Sequence, residues 1–462
     1  DANTTGSTNT AIGASALSTE TQGSKSTAVG YGTLATQNFT SATDSYNTGI
    51  GYNAGTAVTT GQNNTFLGSL SSDALTVGNN NTALGMLTLS TDTQGSQNVA
   101  VGYGTLGSQN FTSATNSGNT GVGYQAGGAV TTGLFNTLIG GNAGDALTDA
   151  DFNVSVGNLA LGADTKGNKS VAIGVGSLQS QNFTSSTDSF NTAVGYNSGA
   201  SVTTGIQNAL IGSNAGDALT DADKNVAIGY QALSGDTQGN KSVAVGTSAL
   251  LTQNFTSSTD SFNTAIGHES MYSSQTSQYN VALGFQTGYR ITTGSQNTLL
   301  GYIAGDHLTT GEYNVMIGFA AGTHDRNTNG SNNTIIGAFA DTNASSGTDA
   351  SNQIVIGYNV IGQGSANFTF GKDGDDSNIA FGATSISAPS DERYKEEIET
   401  STAGLSFIND LRPVTFKWKK QKDIPSDHRS YVKDSDTRVM GKGEKVQHGF
   451  IAQEVKTVID NH

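Results

Sequence analysis

Four short segments decide how this chain folds: NTALG at 81–85, NVAVG at 98–102, NTAIG at 263–267 and NVMIG at 314–318. Each is a polar residue, three small or branched residues and a glycine, and 22 such sites run along the sequence. Their glycines start at Gly13, Gly30, Gly51, Gly68 and Gly85, in steps of 17, 21, 17 and 17 that sum to 72, and the rhythm persists to Gly318. The tetrapeptide QNFT recurs at 37, 109, 181 and 253, also 72 residues apart, always inside the 21-residue step. A fixed period of this kind marks a solenoid.

The repeating segments are rich in Thr, Val, Ile, Gly and Asn and lack a 3.6-residue apolar spacing, which excludes helix and leaves strand. In NTAIG the side chains alternate, so Thr264 and Ile266 share one face while Ala265 and Gly267 share the other. The alternation predicts that the bulky face packs and that the small-residue face allows close approach. A 17-residue step suits a coil of two short strands and two turns, each strand pairing with its copy in the next coil. The Asn that opens most strands is then expected to stack into an amide ladder. At about 4.8 Å per coil, such a rod is on the order of 105 Å long. So few apolar side chains per coil make a thin core, and burying the small-residue face about a common axis implies an obligate homotrimer.

Composition narrows the function. The 462 residues include 61 Gly, 3 Pro and no Cys, so neither disulfides nor Cys-based metal or redox chemistry enters. A net charge of −16 opposes binding to nucleic acid or anionic lipid, which needs excess Lys and Arg. No apolar run of membrane-spanning length occurs, so membrane insertion is not expected, and the opening DANTTGSTNT lacks signal-peptide features. Because the first residue is not Met, the chain reads as a fragment or a processed product.

After Gly318 the glycine steps drift to 19, 20, 14 and 11, ending in NFTFG at 367–371 and NIAFG at 378–382. Beyond Ile386 the composition changes: all three prolines, the only tryptophan (Trp418) and 13 of the 21 basic residues lie in the last 75 positions. We therefore divide the chain into a repetitive β-solenoid shaft, 1–387, and a small α/β domain, 388–462, with the whole negative charge on the shaft. The tail offers an amphipathic helix at SDERYKEEIE from Ser390, a strand at Val414–Trp418 and a hydrophobic segment at Phe450–Val455.

The repeats, including SVAIG at 170–174 and NVAIG at 225–229, resemble the head repeats of YadA-like trimeric adhesins, over roughly residues 9–382. That resemblance implies an all-β, left-handed parallel β-roll, here with longer outer turns than the familiar repeat. The tail blocks SDERYKEEIE, LSFINDLRPVTFKWKK from Leu405 and HGFIAQEV from His448 together resemble the intramolecular chaperone of phage tail spikes and fibres, peptidase family S74. The resemblance implies a domain that helps three chains assemble and then cuts itself off, here between Pro389 and Ser390. Such domains continue beyond the GFIAQEV block, so the chain is expected to stop within its chaperone.

The chemistry of that cut is readable from the residues. A serine hydroxyl beside a peptide carbonyl attacks it to give an ester that water hydrolyses, once a base takes the proton. Lys395 is the candidate base; its pKa must fall from about 10.4 to about 7, a cost of around 4 kcal/mol that burial or nearby cations must supply. On a helix, residues five apart point about 140° away from each other, so Ser390 and Lys395 meet only through a non-helical turn or across chains. Folding then licenses the cut. Asp391 and Arg393 complete the motif and are expected to orient the turn, and His448 and Glu454 hold positions of similar family character; a surface ion pair or cap is the plainer role for each.

Three other sets invite a functional reading. Asp145, Asp149 and Asp151, and Asp217, Asp221 and Asp223, lie in DALTDAD segments that offer oxygens to Ca²⁺, although turns favour Asp regardless, and no metal is assigned. Phe39, Phe111, Phe183 and Phe255, with Tyr46, Phe190 and Phe262, offer platforms for sugar rings, with burial under the longer loop the preferred reading. His268, His307 and His324 share no ligand spacing. No cofactor is expected and no active site for an external substrate emerges.

The resulting expectation is a trimeric tail fibre of a bacteriophage, located on the virion tail. Its partners are other tail proteins and a host cell-surface glycan or protein receptor, and its assembly uses a self-cleaving C-terminal chaperone. The alternative is a bacterial trimeric cell-surface adhesin, for which a C-terminal membrane-anchor barrel is expected and no such strand pattern is present. An enzyme acting on host polysaccharide lacks a clustered acidic pair.

Overall fold

The computed structural model describes residues 3–323, 328–342, 349–383, 404–428, 430–439 and 446–461. The chain divides into two compact units, Asp1–Pro389 and Ser390–His462.

The first unit is a parallel β-solenoid. Twenty-one strands, from Thr10–Ile12 to Asn367–Lys372, pair in parallel and in register, as where Thr264, Ala265 and Ile266 face Val281, Ala282 and Leu283. The strand containing NIAFG is not a further coil. Asp375–Ala380 runs antiparallel to Asn367–Lys372 through the two-residue turn Asp373–Gly374, both with positive φ (52° and 94°). Eleven residues are too few to circle the solenoid, and Asp-Gly favours the primed hairpin turn.

Each coil keeps one strand, of three residues up to Thr334–Ile336 and of five and six in the last two coils, rather than the expected two. Among the described residues a second strand appears as four two-residue ladders, such as Gly167–Asn168 against Thr187–Asp188, one per 21-residue step, with a single bridge between Asp341 and Ile361 near the end. Elsewhere the wall is a run of turns in which left-handed residues bond to both neighbouring coils. Asn53 (φ 54°) donates its N–H to Tyr31 O at 2.9 Å, and Gly55 (φ 60°) donates to Ser71 O at 2.9 Å. Backbone pairing thus continues without extended conformation, which satisfies the buried amides.

The two faces of the strand are reversed from expectation. Ala265 is fully buried inside the coil and Ile266 is 37% exposed. The interior is too narrow for a branched residue on every strand. The centre of each strand shares its space with the fourth residue after the preceding coil glycine. Leu34 lies under Gly49 and Leu106 under Gly121, whereas Phe66 fills the space over Gly55, and Leu138 that over Gly127. A Cβ on Gly127 would stand 2.5 Å from Leu138 Cδ1. At most sites one large side chain, supplied by one partner or the other, keeps packing dense, and where both are small, as at Gly144 with Ser155 and Gly216 with Ala227, leucines of the same and the preceding coil fill the space.

The coil glycines have a separate cause. Gly267 has φ +137°, and a Cβ there would sit 2.1 Å from Gly284 O in the next coil. Only glycine tolerates both conditions.

The expected amide ladder is present and buried. Asn64 N–H donates to Asn47 Oδ1 at 3.0 Å, while Asn47 Nδ2 donates to Gly61 O at 2.7 Å, closing its own coil. QNFT explains the long step. Its glutamine reaches a fully buried carboxylate: Gln37 with Glu20, Gln109 with Asp92, Gln181 with Asp164 and Gln253 with Asp236. Asp164 also accepts the N–H groups of Gly167 (3.0 Å) and Phe183 (3.2 Å), so three donors hold it without a cation.

In the second unit, the helix Leu405–Asp410 precedes a strand Val414–Phe416, two residues shorter than expected, which pairs antiparallel with Gln447–Gly449. Most of the hydrophobic segment at Phe450–Val455 enters the helix Ala452–Asn461.

Candidate functional site

Of the proposed cleavage machinery, Pro389, Ser390, Asp391, Arg393 and Lys395 lie outside the described residues. His448 and Glu454 are described. Antiparallel pairing sets His448 opposite Thr415, and the imidazole is exposed at the border of a cleft of about 360 Å³ with Pro413 and Phe450. Glu454, in the first turn of the last helix, takes both arms of Arg412, with Nε at 3.0 Å from Oε2. This fork holds its carboxyl below the usual range. Glu454 therefore ties the helix to the residue that leads into Pro413 and the strand.

On the shaft, the DALTDAD carboxylates diverge. Asp151 Oδ1 accepts the N–H of Leu134 in the preceding coil, Asp149 faces Lys166 at 3.7 Å, and Asp145 is half buried. Asp223 repeats the bond of Asp151, to Ile206 N–H, and Asp221 accepts from Thr220. Among the described residues no group of three or more His, Cys, Asp or Glu is placed to hold a metal ion. His268 stacks on Phe285, His307 meets Thr323 O, and His324 lies outside the described residues.

The aromatic residues divide into two classes. Phe39, Phe111, Phe183 and Phe255 are buried, whereas Tyr46, Phe190 and Phe262 are exposed. Each exposed ring lies beneath a lysine that also binds an aspartate. Lys25 stands 4.9 Å above Tyr46 and 2.8 Å from Asp44; Lys169 pairs with Asp188 over Phe190, and Lys241 with Asp260 over Phe262. The aspartates hold these lysines in place, and Asp44 and Tyr46 raise the pKa of Lys25. In the second repeat all three members change together, to Gln97, Asn116 and Gly118. The common spacing carried this signal, but only when Lys, Asp and the aromatic residue are aligned together.

The sequence reading also missed where apolar surface remains. From Ile12 to Tyr358, every exposed large apolar side chain lies on the strand wall or its flanks. The positions are two residues before the strand (Phe135, Tyr313), its first or third residue (Val281, Ile211), or just after the coil glycine (Tyr302, Phe339). Rings stack along this wall, with Phe285 on Tyr302 at 5.1 Å and Tyr302 on Phe319 at 5.0 Å.

Comparison with known proteins gives one match. Residues 390–462 match the model of the peptidase S74 family, chaperone of endosialidase. No curated protein and no solved structure matches the chain.

Proposed function

We propose that this chain is a trimeric fibre of a bacteriophage tail, in which the solenoid is the shaft that meets the host surface and the C-terminal unit drives assembly. The observation that carries the reading is the confinement, from Ile12 to Tyr358, of exposed large apolar side chains to a single wall of the shaft, in a chain whose C-terminal 73 residues match a chaperone family. A continuous apolar strip of this kind marks an association surface, and rotational symmetry lets identical strips meet about one axis. The interface therefore uses branched and aromatic side chains, not the small-residue face expected from the alternation.

The chaperone releases itself by attack of Ser390 on the Pro389 carbonyl, with Lys395 taking the hydroxyl proton and His448 and Glu454 supporting the fold around the cut. Sedimentation of the purified full chain gives three times the chain mass, and a denaturing gel shows the fragment ending at Pro389. Ser390→Ala leaves the chain full length; normal cutting in that variant refutes the chemistry, and a folded monomer refutes the fibre.

A further inference from the structure

A cleft of about 360 Å³ opens on the shaft in the second repeat, away from the conserved pattern of the other coils. Its floor is made by glycines. Gly107 and Gly128 stand where the first repeat has Ala35 and Thr56, the third Gln179 and Ala200, and the fourth Leu251 and Tyr272. Asp145 lies at one side, where the fourth repeat has Tyr289. Tyr272 and Tyr289 stack at 5.1 Å with an interplanar angle of 15°, so in the fourth repeat a ring pair occupies the place that the second leaves open.

What remains around the space is chemically mixed. Ser90 and Ser108 bring hydroxyls, Gln125 an amide and Asp145 a carboxylate, while Leu87 and Tyr103 add apolar edges. Asp145 is half buried; its enclosed Oδ1 takes no hydrogen bond from another residue, a trait shared by Asp73, Asp217 and Asp306 in other coils, so it is the cleft and not this atom that sets the second repeat apart. Among the described residues no cation acts on it: its carboxyl is pushed up by burial, opposed by its own backbone N–H. A site with one carboxylate and no cation disfavours anions, and a lone carboxylate is too few ligands for Ca²⁺. Several hydroxyl donors on a compact ring with an apolar face suit it, and the volume is at the low end of the roughly 300–1,000 Å³ of small-molecule clefts.

We infer that this cleft binds a single neutral hexopyranose, with the Asp145 carboxylate and the Gln125 amide hydrogen-bonding its hydroxyls and Leu87 flanking its apolar edge. The inference deepens the attachment reading and rests on it, since it assigns the host glycan a place on the shaft. Gly128 has ordinary φ, and an added Cβ meets nothing nearer than Gln125 O at 3.3 Å, so the coil accepts a side chain there as it does at Tyr272.

Saturation-transfer NMR on the full chain, with methyl glycosides of glucose, galactose, mannose and N-acetylglucosamine as probes, tests this. Transfer to at least one glycoside is expected, with affinity falling more than tenfold in Gly128→Tyr and in Asp145→Asn while circular dichroism stays that of the parent. No transfer to any of the four, transfer unchanged in both variants, or transfer that vanishes on chelation with EDTA overturns the assignment. Binding of the fibre to bacterial cells separates the two readings: adhesion that persists in both variants removes this cleft and leaves attachment intact, whereas a parent fibre that adheres to no cell removes attachment itself.

Discussion

Gln181 Nε2 donates to Asp164 Oδ2 at 2.6 Å, and both side chains are fully buried. The amide replaces the cation that a buried carboxylate usually requires, and it does so once in every long coil. Gln181→Leu keeps the volume but withdraws a donor from a buried charge, which costs about 1–3 kcal/mol. Denaturant unfolding measures it. Gln181→Glu sets two carboxylates together and is expected to destabilise more at pH 7 than at pH 4, where one of them is protonated.

Gly267→Ala places a methyl against Gly284 O in a backbone region that side chains avoid. Strain of this kind costs about 1–3 kcal/mol. Hydrogen exchange should accelerate at Thr264–Ile266 and Val281–Leu283 ahead of distant coils, because each strand pairs only with its neighbours. Ala265→Gly, two residues earlier, should cost no more than about 1 kcal/mol.

Burial pushes the carboxyls of Asp73, Asp145 and Asp217 above their ordinary value of 3.8. Folding therefore favours the protonated form of these groups more than the unfolded chain does. The stability this contributes is complete below the ordinary carboxylate pKa and is lost as pH rises through the raised folded value. Asp→Asn at these positions should raise the melting temperature at pH 7, with the gain disappearing as pH falls to about 3. Thermal melts from pH 3 to 8 check the sign; a gain that persists at the acid end contradicts it.

Ile211→Lys together with Ile266→Lys puts charge into the apolar wall, and sedimentation should then report single chains. Thr204→Lys, exposed on another part of the coil, should leave the assembled mass unchanged.

In the C-terminal unit, Arg412→Ala releases Glu454. Its carboxyl, now below the usual range, should return to it in a ¹³C-detected titration. An unmoved titration midpoint shows that the guanidinium is not the cause.

The glycine spacing makes the parallel solenoid legible in the sequence, and the Asn that leads most strands points to the ladder. Which side of NTAIG turns inward was not legible. Alternation defines two faces, but interior width chooses between them, and that width follows from pairs such as Leu34 with Gly49 and Phe66 with Gly55, residues 15 and 11 apart whose exchange is visible only once they touch. QNFT stood out for its phenylalanine, yet its glutamine answers a carboxylate 17 residues earlier. The C-terminal blocks were readable as a set, although the residues named for the cut fall outside those described, and the Arg412 fork on Glu454 joins two blocks that no local pattern links.

The reversal at Asp373–Gly374 has a bearing on solubility. A stack of identical parallel rungs offers its last row of amide and carbonyl groups as a template on which foreign strands can grow, the same geometry that propagates amyloid. Folding Asp375–Ala380 back against the final rung occupies that row with a strand of opposite direction and two further carboxylates, so the distal edge is blunted against end-to-end polymerisation by six residues of its own chain.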